Sequence, residues 1–262
     1  MCRHGFVLPI LSLAAITLAS GCTREAETSP GQMPGEATIS SEQDASTYAA
    51  APYLGELGNT VLYGDIWERP GLSKRDRSMI TIAVAQAQHG TGTMREHIGL
   101  ALDNGLTQEE IAEVITHATF YAGWPGAVIA STIAAEVFQA RGLPPVEVGP
   151  PAPPVTESQF PDDVFGASLY LGELMNKVLY DDVWERPGLS KRDRSVVTVS
   201  VLQALYYDQA QGHIRRALDN GVTPDELSEL IVHVVFYAGW PSGVKAHGFL
   251  RDILESRGLL MP

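Results

Sequence analysis

Four histidines stand at matching positions in the two halves of this 262-residue chain. His97 and His213 each lie four residues before an ALDNG stretch, and His117 and His233 each begin the motif HxxFYAGWP. Imidazole titrates near neutral pH, so a histidine can give or take a proton in a reaction. The pattern predicts a proton-transfer site with His97 and His213 as catalytic residues, although a single histidine on a helix more often has a structural role.

Glu96 is a further catalytic candidate because it directly precedes His97. Successive residues of a helix point about 100° apart, so Glu96 reaches the same pocket only at a helix start or from a neighbouring face. The matching position in the second half is Gly212, which has no side chain. We therefore expect two unequal sites, with the His97 site the more active.

The two aromatic motifs supply candidate walls for a binding pocket. His117, Tyr121 and Trp124 are spaced i, i+4 and i+7, which places them on one stripe of a helix. The second half repeats the stripe with His233, Tyr237 and Trp240. These residues are predicted to bind an unsaturated ring acid; alternatively, they are helix-packing side chains whose polar ends find partners.

The motif RPGLSKRDRS places cations beside a helix start in both halves. Lys74 to Arg77, and Lys191 to Arg194, could hold a substrate carboxylate at the helix N-terminus, with Arg77 and Arg194 as the binding residues. The alternative is a network of ion pairs within a helix or between subunits.

The chain is a tandem duplication. The twelve residues from Trp67 to Ser78 recur without change as Trp184 to Ser195, 117 residues later. From the ALDNG stretch onward the offset is 116, so one residue was gained or lost between Ala87 and His97. Apolar side chains recur at helical spacing in each half, which predicts an all-α fold of two similar helical repeats.

Five helices are expected in each repeat. In the first repeat, apolar residues from Leu54 to Leu62 form one face of the first helix, and the third helix is expected from Arg95 to Asn104. Residues that typically begin, cap or end a helix predict the helix boundaries. In the first repeat these residues are Ser73, Gly105, Thr107 with Glu110, Pro125 and Gly142.

The segments outside the repeats have other compositions. Residues 1–21 carry an arginine, an apolar run and small residues before Cys22, which predicts a lipoprotein signal peptide, lipidation of Cys22 and sorting to the outer membrane, facing the periplasm. An uncleaved anchor is the alternative, but the 14-residue apolar run is short for a bilayer. The remaining predicted segments are a disordered tether at 22–46, repeats at 47–143 and 163–262, and a proline-rich linker at 144–162.

Charge and cysteine content argue against several functions. The sequence has 18 basic and 31 acidic residues and a formal net charge of −13, which argues against nucleic acid as a partner. Its two cysteines, Cys2 and Cys22, precede the repeats, so no thiol chemistry is expected there. The sequence shows no metal-ligand spacing, glycine-rich phosphate loop or nucleophile elbow, and we expect a site without metal or cofactor.

Three ordered motifs, RPGLSxRDRS, a histidine before ALxNG and HxxFYAGWP, resemble the carboxymuconolactone decarboxylase family, a relative of the alkylhydroperoxidase D-like proteins. The resemblance covers residues 53–143 and 170–259 and implies the helical fold of that family. The thiol branch has a CxxC pair before the histidine. Here Gly90 and Thr93, or Tyr206 and Gln209, stand at those positions, so a CxxC peroxidase is excluded.

The resemblance implies a carboxy-lyase that needs no cofactor and acts on a small unsaturated lactone or carboxylic acid. Loss of carbon dioxide leaves a carbanion or enolate that must be protonated, a role that suits His97 and His213. A lipid-tethered ligand-binding or scaffold protein that keeps the fold without turnover is the alternative. The resemblance implies that relatives with one repeat form hexamers. A chain with two repeats supplies two of the six units, so three chains are expected to form a homotrimer.

Overall fold

The computed structural model describes residues 47–157, 159–161 and 165–260. Within these residues there are ten α-helices and no β-strand, which confirms the all-α prediction. The predicted signal peptide, Cys22 and the tether lie outside the described residues. Among the described helices, none combines the length and the apolar character needed to cross a bilayer.

Each repeat contributes five helices. In the first repeat they are α1 (Pro52–Leu57), α2 (Lys74–Ala87), α3 (Thr91–Asp103), α4 (Gln108–Ala122) and α5 (Trp124–Ala140). In the second repeat they are α6 (Leu169–Leu174), α7 (Lys191–Ala204), α8 (Ala210–Asp219), α9 (Pro224–Ala238) and α10 (Trp240–Ser256). The helices of the two repeats correspond in order, as a duplication requires.

The predicted capping residues act as expected. The Ser73 hydroxyl accepts a hydrogen bond of 3.0 Å from the backbone amide three residues later and caps α2. Thr107 and Glu110 form a reciprocal capping box at the start of α4. Gly105 and Gly142 follow α3 and α5 with φ of +93° and +68°, where glycine has no steric penalty.

The first helix of each repeat differs from the prediction because it does not continue as a regular α-helix. α1 passes into a π-helical segment at Gly58–Tyr63, and α6 into one at Met175–Val183. In the first repeat a short 3₁₀ turn, Ile66–Glu68, follows. A π turn holds more residues than an α turn, so it rotates the following side chains relative to the apolar face of the helix.

The one-residue difference between the repeats lies just before α3 or in its first turn. His89 and Tyr206, which still differ by 117 in number, both follow a central helix with a positive φ, of 56° and 61°. The position at which the second repeat is one residue shorter therefore lies after His89 and Tyr206. α3 has 13 residues and starts four residues before the predicted Arg95, whereas α8 has 10. The difference is thus at the amino ends of the helices that carry His97 and His213.

α2 and α7 form the centre of the fold. Every residue from Asp76 to Ala87 and from Asp193 to Ala204 is buried, so most of each helix has no solvent-facing side. The two helices pack on each other, and each also packs on the fourth helix of the other repeat, α2 on α9 and α7 on α4. One apolar core therefore serves both repeats and brings their side chains together.

The cations of the RDRS motif form ion pairs between the repeats. Arg75 contacts Asp193 at 3.1 Å, and Arg192 contacts Asp76 at 2.9 Å. Each of these arginines also contacts the capping-box glutamate of its own repeat at 2.5 Å. The cations of this motif therefore do form a network of ion pairs, but it joins helices of the two repeats within one chain, whereas the sequence suggested a network within a helix or between subunits.

Gly126 lies where α5 meets α2, and a side chain there has no room. A Cβ at this position would lie 2.4 Å from the carbonyl oxygen of Gln86, which is main chain and cannot turn away. We expect Gly126→Ala to lower the free energy of unfolding by about 1–3 kcal/mol. Gly248→Ala in α10 meets nothing within 4 Å and should raise it by about 0.5–1 kcal/mol. Urea denaturation measures both, and a Gly126→Ala protein as stable as the parent would contradict this packing.

Candidate active site

The first site is built by both repeats. His97 of α3 stacks on Trp67 with ring centroids 5.8 Å apart, and the ring of Tyr237 from α9 lies edge-on at 5.7 Å from His97. Trp67 Nε1 donates a hydrogen bond of 2.9 Å to the Tyr237 hydroxyl. His97 is only 1% exposed. Trp67, His97, His233 and Tyr237 are hereafter the first site.

The second site has the same arrangement with the repeats exchanged. Trp184 Nε1 donates a hydrogen bond of 2.8 Å to the Tyr121 hydroxyl. The His213 ring of α8 lies 5.3 Å from the Tyr121 ring and 6.3 Å from the Trp184 ring. His117 of α4 packs edge-on against Trp184 at 4.8 Å. Trp184, His213, His117 and Tyr121 are hereafter the second site.

The inner histidines, His233 and His117, are fully buried and bonded to threonines. The Thr81 hydroxyl donates its hydrogen to the Arg77 carbonyl at 2.8 Å, so it has none left for the His233 ring. His233 Nε2, 2.9 Å from that hydroxyl oxygen, must therefore carry a hydrogen and donate it. Thr198 and His117 form the matching pair at 2.8 Å. These bonds fix the tautomer and the ring position of both inner histidines.

Arg77 and Arg194 lie next to the inner histidines and are fully buried. Arg77 donates to Glu229 of α9 at 3.2 Å and also lies 3.4 Å from His233 Nδ1. Arg194 donates in the same way to Glu113 of α4 at 3.0 Å. A carboxylate of the other repeat therefore already pairs with each guanidinium and links the two repeats, and Arg77 also lies against His233.

The outer histidines, His97 and His213, are neutral at pH 7. Burial lowers the pKa of each to about 4, and for His213 the nearby charge of Arg216 adds to the effect. Both ring nitrogens of His97 and Nδ1 of His213 are buried without a hydrogen-bond partner among the described residues. Buried polar atoms are rarely left unsatisfied, so these nitrogens mark where a polar ligand or a water molecule would bind.

The tyrosine and the inner histidine beside each outer histidine are also uncharged. Burial raises the pKa of the Tyr237 and Tyr121 hydroxyls, so both stay protonated. Burial lowers the pKa of His233 and His117 well below the ordinary histidine value, and the adjacent arginines lower it further. Each outer histidine therefore faces an uncharged aromatic surface, in which electrostatic interactions with a ligand are weakly screened.

The neutral outer histidines predict a loss of stability in mild acid. An unfolded histidine has a pKa of about 6.5, whereas His97 has one of about 4, so between these values the unfolded chain binds more protons. The contribution of His97 is complete above pH ~6.5 and falls by about 2 kcal/mol from pH 7 to pH 5. In urea denaturation His97→Phe, which cannot titrate, should reduce the stability difference between these pH values. An unchanged difference would contradict a buried, neutral His97.

A cavity of about 600 Å³ lies elsewhere, between α4, α5 and the start of the linker. Its described lining is apolar apart from a few hydroxyl and amide groups, such as Thr116, Ser131 and Gln139, and contains no titratable side chain. It offers no group for acid–base chemistry. In the described part of the chain, no three His, Cys, Asp or Glu side chains are grouped so that they could hold a metal ion.

The model of the carboxymuconolactone decarboxylase family matches residues 52–136 and 170–252, one segment in each repeat. Together these segments cover more than half of the chain. This chain belongs to the carboxymuconolactone decarboxylase family. Each family segment supplies the outer histidine of one site and the inner histidine and tyrosine of the other.

Two curated decarboxylases are similar to part of this family member. The 4-carboxymuconolactone decarboxylase of Acinetobacter baylyi is 40% identical over 86 residues, which are 33% of this chain and 64% of that protein. The nitrosuccinic acid decarboxylase of Metarhizium robertsii is 34% identical over 78 residues, which are 30% of this chain and 54% of that protein. The matched part is thus less than two thirds of the length of either relative.

In this family member the predicted site residues do not all lie together. Glu96 is exposed on α3, and its charge contributes to the raised pKa of Tyr237 in the first site. Trp124 and Trp240 begin α5 and α10, are 68% and 73% exposed, and take no part in the ring contacts that define the sites. The four histidines and two tyrosines come together, but each site draws on both repeats.

Sequence reasoning missed Trp67 and Trp184, which stack on the outer histidines. A signal was present, because both tryptophans begin the twelve-residue block that is identical in the two repeats. From the sequence, only the cations of that block were assigned a role in ligand binding. Thr81 and Thr198 were also missed, since a threonine inside a helix carries no distinctive spacing.

Proposed function

We propose that this protein is a carboxy-lyase that needs no cofactor and removes carbon dioxide from a small unsaturated lactone or carboxylic acid. One observation carries the proposal. In both sites an outer histidine, with a buried ring nitrogen that has no hydrogen-bond partner in the described part of the chain, lies among uncharged aromatic side chains. The reaction class is supported by the two partial relatives, both of which are decarboxylases.

The proposed reaction needs a proton after its carbon–carbon bond breaks. The electron pair of that bond stays on the organic fragment as a carbanion or enolate, and carbon dioxide leaves. An imidazolium at His97 or His213 then donates its proton to this carbon, and the neutral imidazole regains a proton from water. A bound carboxylate raises the pKa of a neighbouring histidine, so substrate binding itself favours the protonated form.

The aromatic surroundings support the step that breaks the bond. Trp67 and Trp184 are 1% and 2% exposed, so a carboxylate placed against them loses much of its hydration. The negative charge is concentrated in the carboxylate and spread over the unsaturated fragment in the transition state. Loss of hydration therefore destabilises the bound acid more than the transition state.

The test is carbon dioxide release by the full-length protein from 4-carboxymuconolactone, from related unsaturated acids and, for comparison, from nitrosuccinate. We expect turnover of at least one acid. The His97→Ala, His213→Ala double variant should lose turnover and still bind that acid. Absence of carbon dioxide from every acid would contradict the proposal and favour the alternative of a ligand-binding or scaffold protein without turnover.

We also propose that the protein is exported and anchored by a lipid on Cys22, in the outer membrane and facing the periplasm. The support is the arrangement of the apolar run and the small residues before that cysteine. Labelled palmitate should enter the full-length protein but not its Cys22→Ala variant. Equal labelling of both would contradict lipidation at this residue.

We further propose that three chains form a trimer. Two matching apolar surfaces are exposed: Trp124 is 68% and Val128 55% exposed in the first repeat, and Trp240 is 73% and Val244 69% exposed in the second. Matching apolar surfaces suit symmetric contacts between chains. Light scattering of the full-length protein in detergent should give the mass of three chains, and a stable monomer would contradict the proposal.

A further inference from the structure

Arg216 is a cation at the second site that the acid–base chemistry above does not use. It lies on α8 three residues after His213. Its guanidinium carbon is 4.8 Å from the centroid of the Tyr180 ring and 5.4 Å from that of Trp184. The side chain is half-buried. Because Trp184 also contacts His213, the guanidinium and the outer histidine lie at the same aromatic surface.

The charge of Arg216 has no carboxylate partner in the described residues. In this part of the chain every other arginine and lysine except the exposed Arg215 lies within 4.0 Å of an aspartate or glutamate. Arg216 instead donates one hydrogen bond of 3.1 Å to the neutral amide oxygen of Gln159. A guanidinium has five N–H donors, so most of them have no partner among the described residues and could bind a ligand. Among the described residues, Arg216 is thus a cation beside the candidate active site that no carboxylate neutralises, in a chain with 31 acidic residues.

The first site has no equivalent of this cation. The position that matches Arg216 is Leu100, which is 8% exposed. One helical turn earlier, Glu96 stands where the second repeat has Gly212. The two sites therefore share histidines, tryptophan and tyrosine and differ in the charge that they present to a ligand.

We infer that the second site is the one that binds the acid, and that Arg216 pairs with its carboxylate. This inference rests on the proposed function for the class of ligand. The two aromatic rings hold the planar guanidinium, whose paired N–H groups match the two oxygens of a carboxylate. The first site, with Leu100 in place of the cation, has lost this ability. The inference reverses the ranking expected from the sequence, which placed the His97 site first on account of Glu96.

The experiment is calorimetric titration of the full-length protein with cis,cis-muconate, an unsaturated dicarboxylate, and with its uncharged dimethyl ester. We expect about one site per chain for the acid and no saturable binding of the ester. Arg216→Leu, which copies the residue of the first repeat, should weaken the dissociation constant for the acid by about tenfold to a hundredfold, as expected for a lost charged hydrogen bond. Arg215→Leu removes a neighbouring exposed charge, which also has no carboxylate partner among the described residues, and should leave the dissociation constant unchanged.

Arg216→Lys keeps the charge without the paired donors and should give intermediate affinity. Circular dichroism and melting of each variant show whether it is folded; if Arg216→Leu is not, Arg216→Lys decides. Equal affinity of the parent and a folded Arg216→Leu or Arg216→Lys protein, or equal weakening by Arg215→Leu, would overturn the inference. Binding needs no turnover, so Arg216-dependent binding without carbon dioxide release would refute only the proposed function. Turnover with an unchanged KM in Arg216→Leu would refute only the inference.

Discussion

His213→Ala is expected to lower kcat/KM for the acid by about 10²–10⁴-fold, the usual contribution of a positioned acid or base. His97→Ala is expected to lower it by less than about tenfold, because the first site has Leu100 where the second has Arg216. The two variants are a matched pair. Both outer histidines stack on a tryptophan, meet a tyrosine edge-on and have a pKa of about 4.

Steady-state rates of carbon dioxide release from the best acid measure this difference. Equal losses of kcat/KM from both substitutions would show that the two sites contribute equally to turnover and that Arg216 does not make the second site the more active one. A larger loss from His97→Ala would restore the ranking expected from Glu96.

Glu229→Ala is expected to lower the free energy of unfolding by about 3–5 kcal/mol. The reason is that Arg77 is 0% exposed and would be left as a buried charge without its carboxylate. Glu229 lies on α9 and Arg77 on α2, so the substitution removes a contact between the two repeats and disturbs the arginine that lies against His233. Glu113→Ala, which leaves Arg194 of the other repeat without its carboxylate, should lower the free energy of unfolding by a similar amount.

The control is Glu68→Ala, because the pair of Glu68 and Lys74 has side chains 53% and 44% exposed. A surface pair of this kind contributes about 0–1 kcal/mol. Urea denaturation at pH 7 compares the variants. A loss below about 1 kcal/mol for Glu229→Ala would mean that the buried arginine finds another partner or reaches water.

Local features of the fold could be predicted from the sequence because their causes are local. Ser73 caps α2 through an amide three residues away, and Thr107 with Glu110 forms its capping box within four residues. The π-helical segments could not be predicted, since over one or two turns the apolar spacing of a π-helix and of an α-helix is nearly the same.

The composition of the sites could be predicted only in part, because it depends on contacts between distant residues. The spacing of His117 and Tyr121 placed them on one stripe, but nothing in a single sequence assigns that stripe to His213 rather than to His97. Gly71 shows the same limit. It follows Arg69-Pro70 in the sequence, which is typical of a turn, yet a Cβ there would lie 2.3 Å from the Glu229 side chain of the other repeat.

The measurement that tests assembly of each site from both repeats most directly is a double-mutant cycle on stability. Tyr121→Phe and Trp184→Phe remove a hydrogen bond of 2.8 Å between the repeats, and we expect a coupling energy of about 0.5–1.5 kcal/mol. Tyr121→Phe and Trp67→Phe lie within one repeat, and they should be additive to within about 0.5 kcal/mol. Coupling of Tyr121 to Trp67 with none to Trp184 would contradict the exchanged arrangement of the two sites.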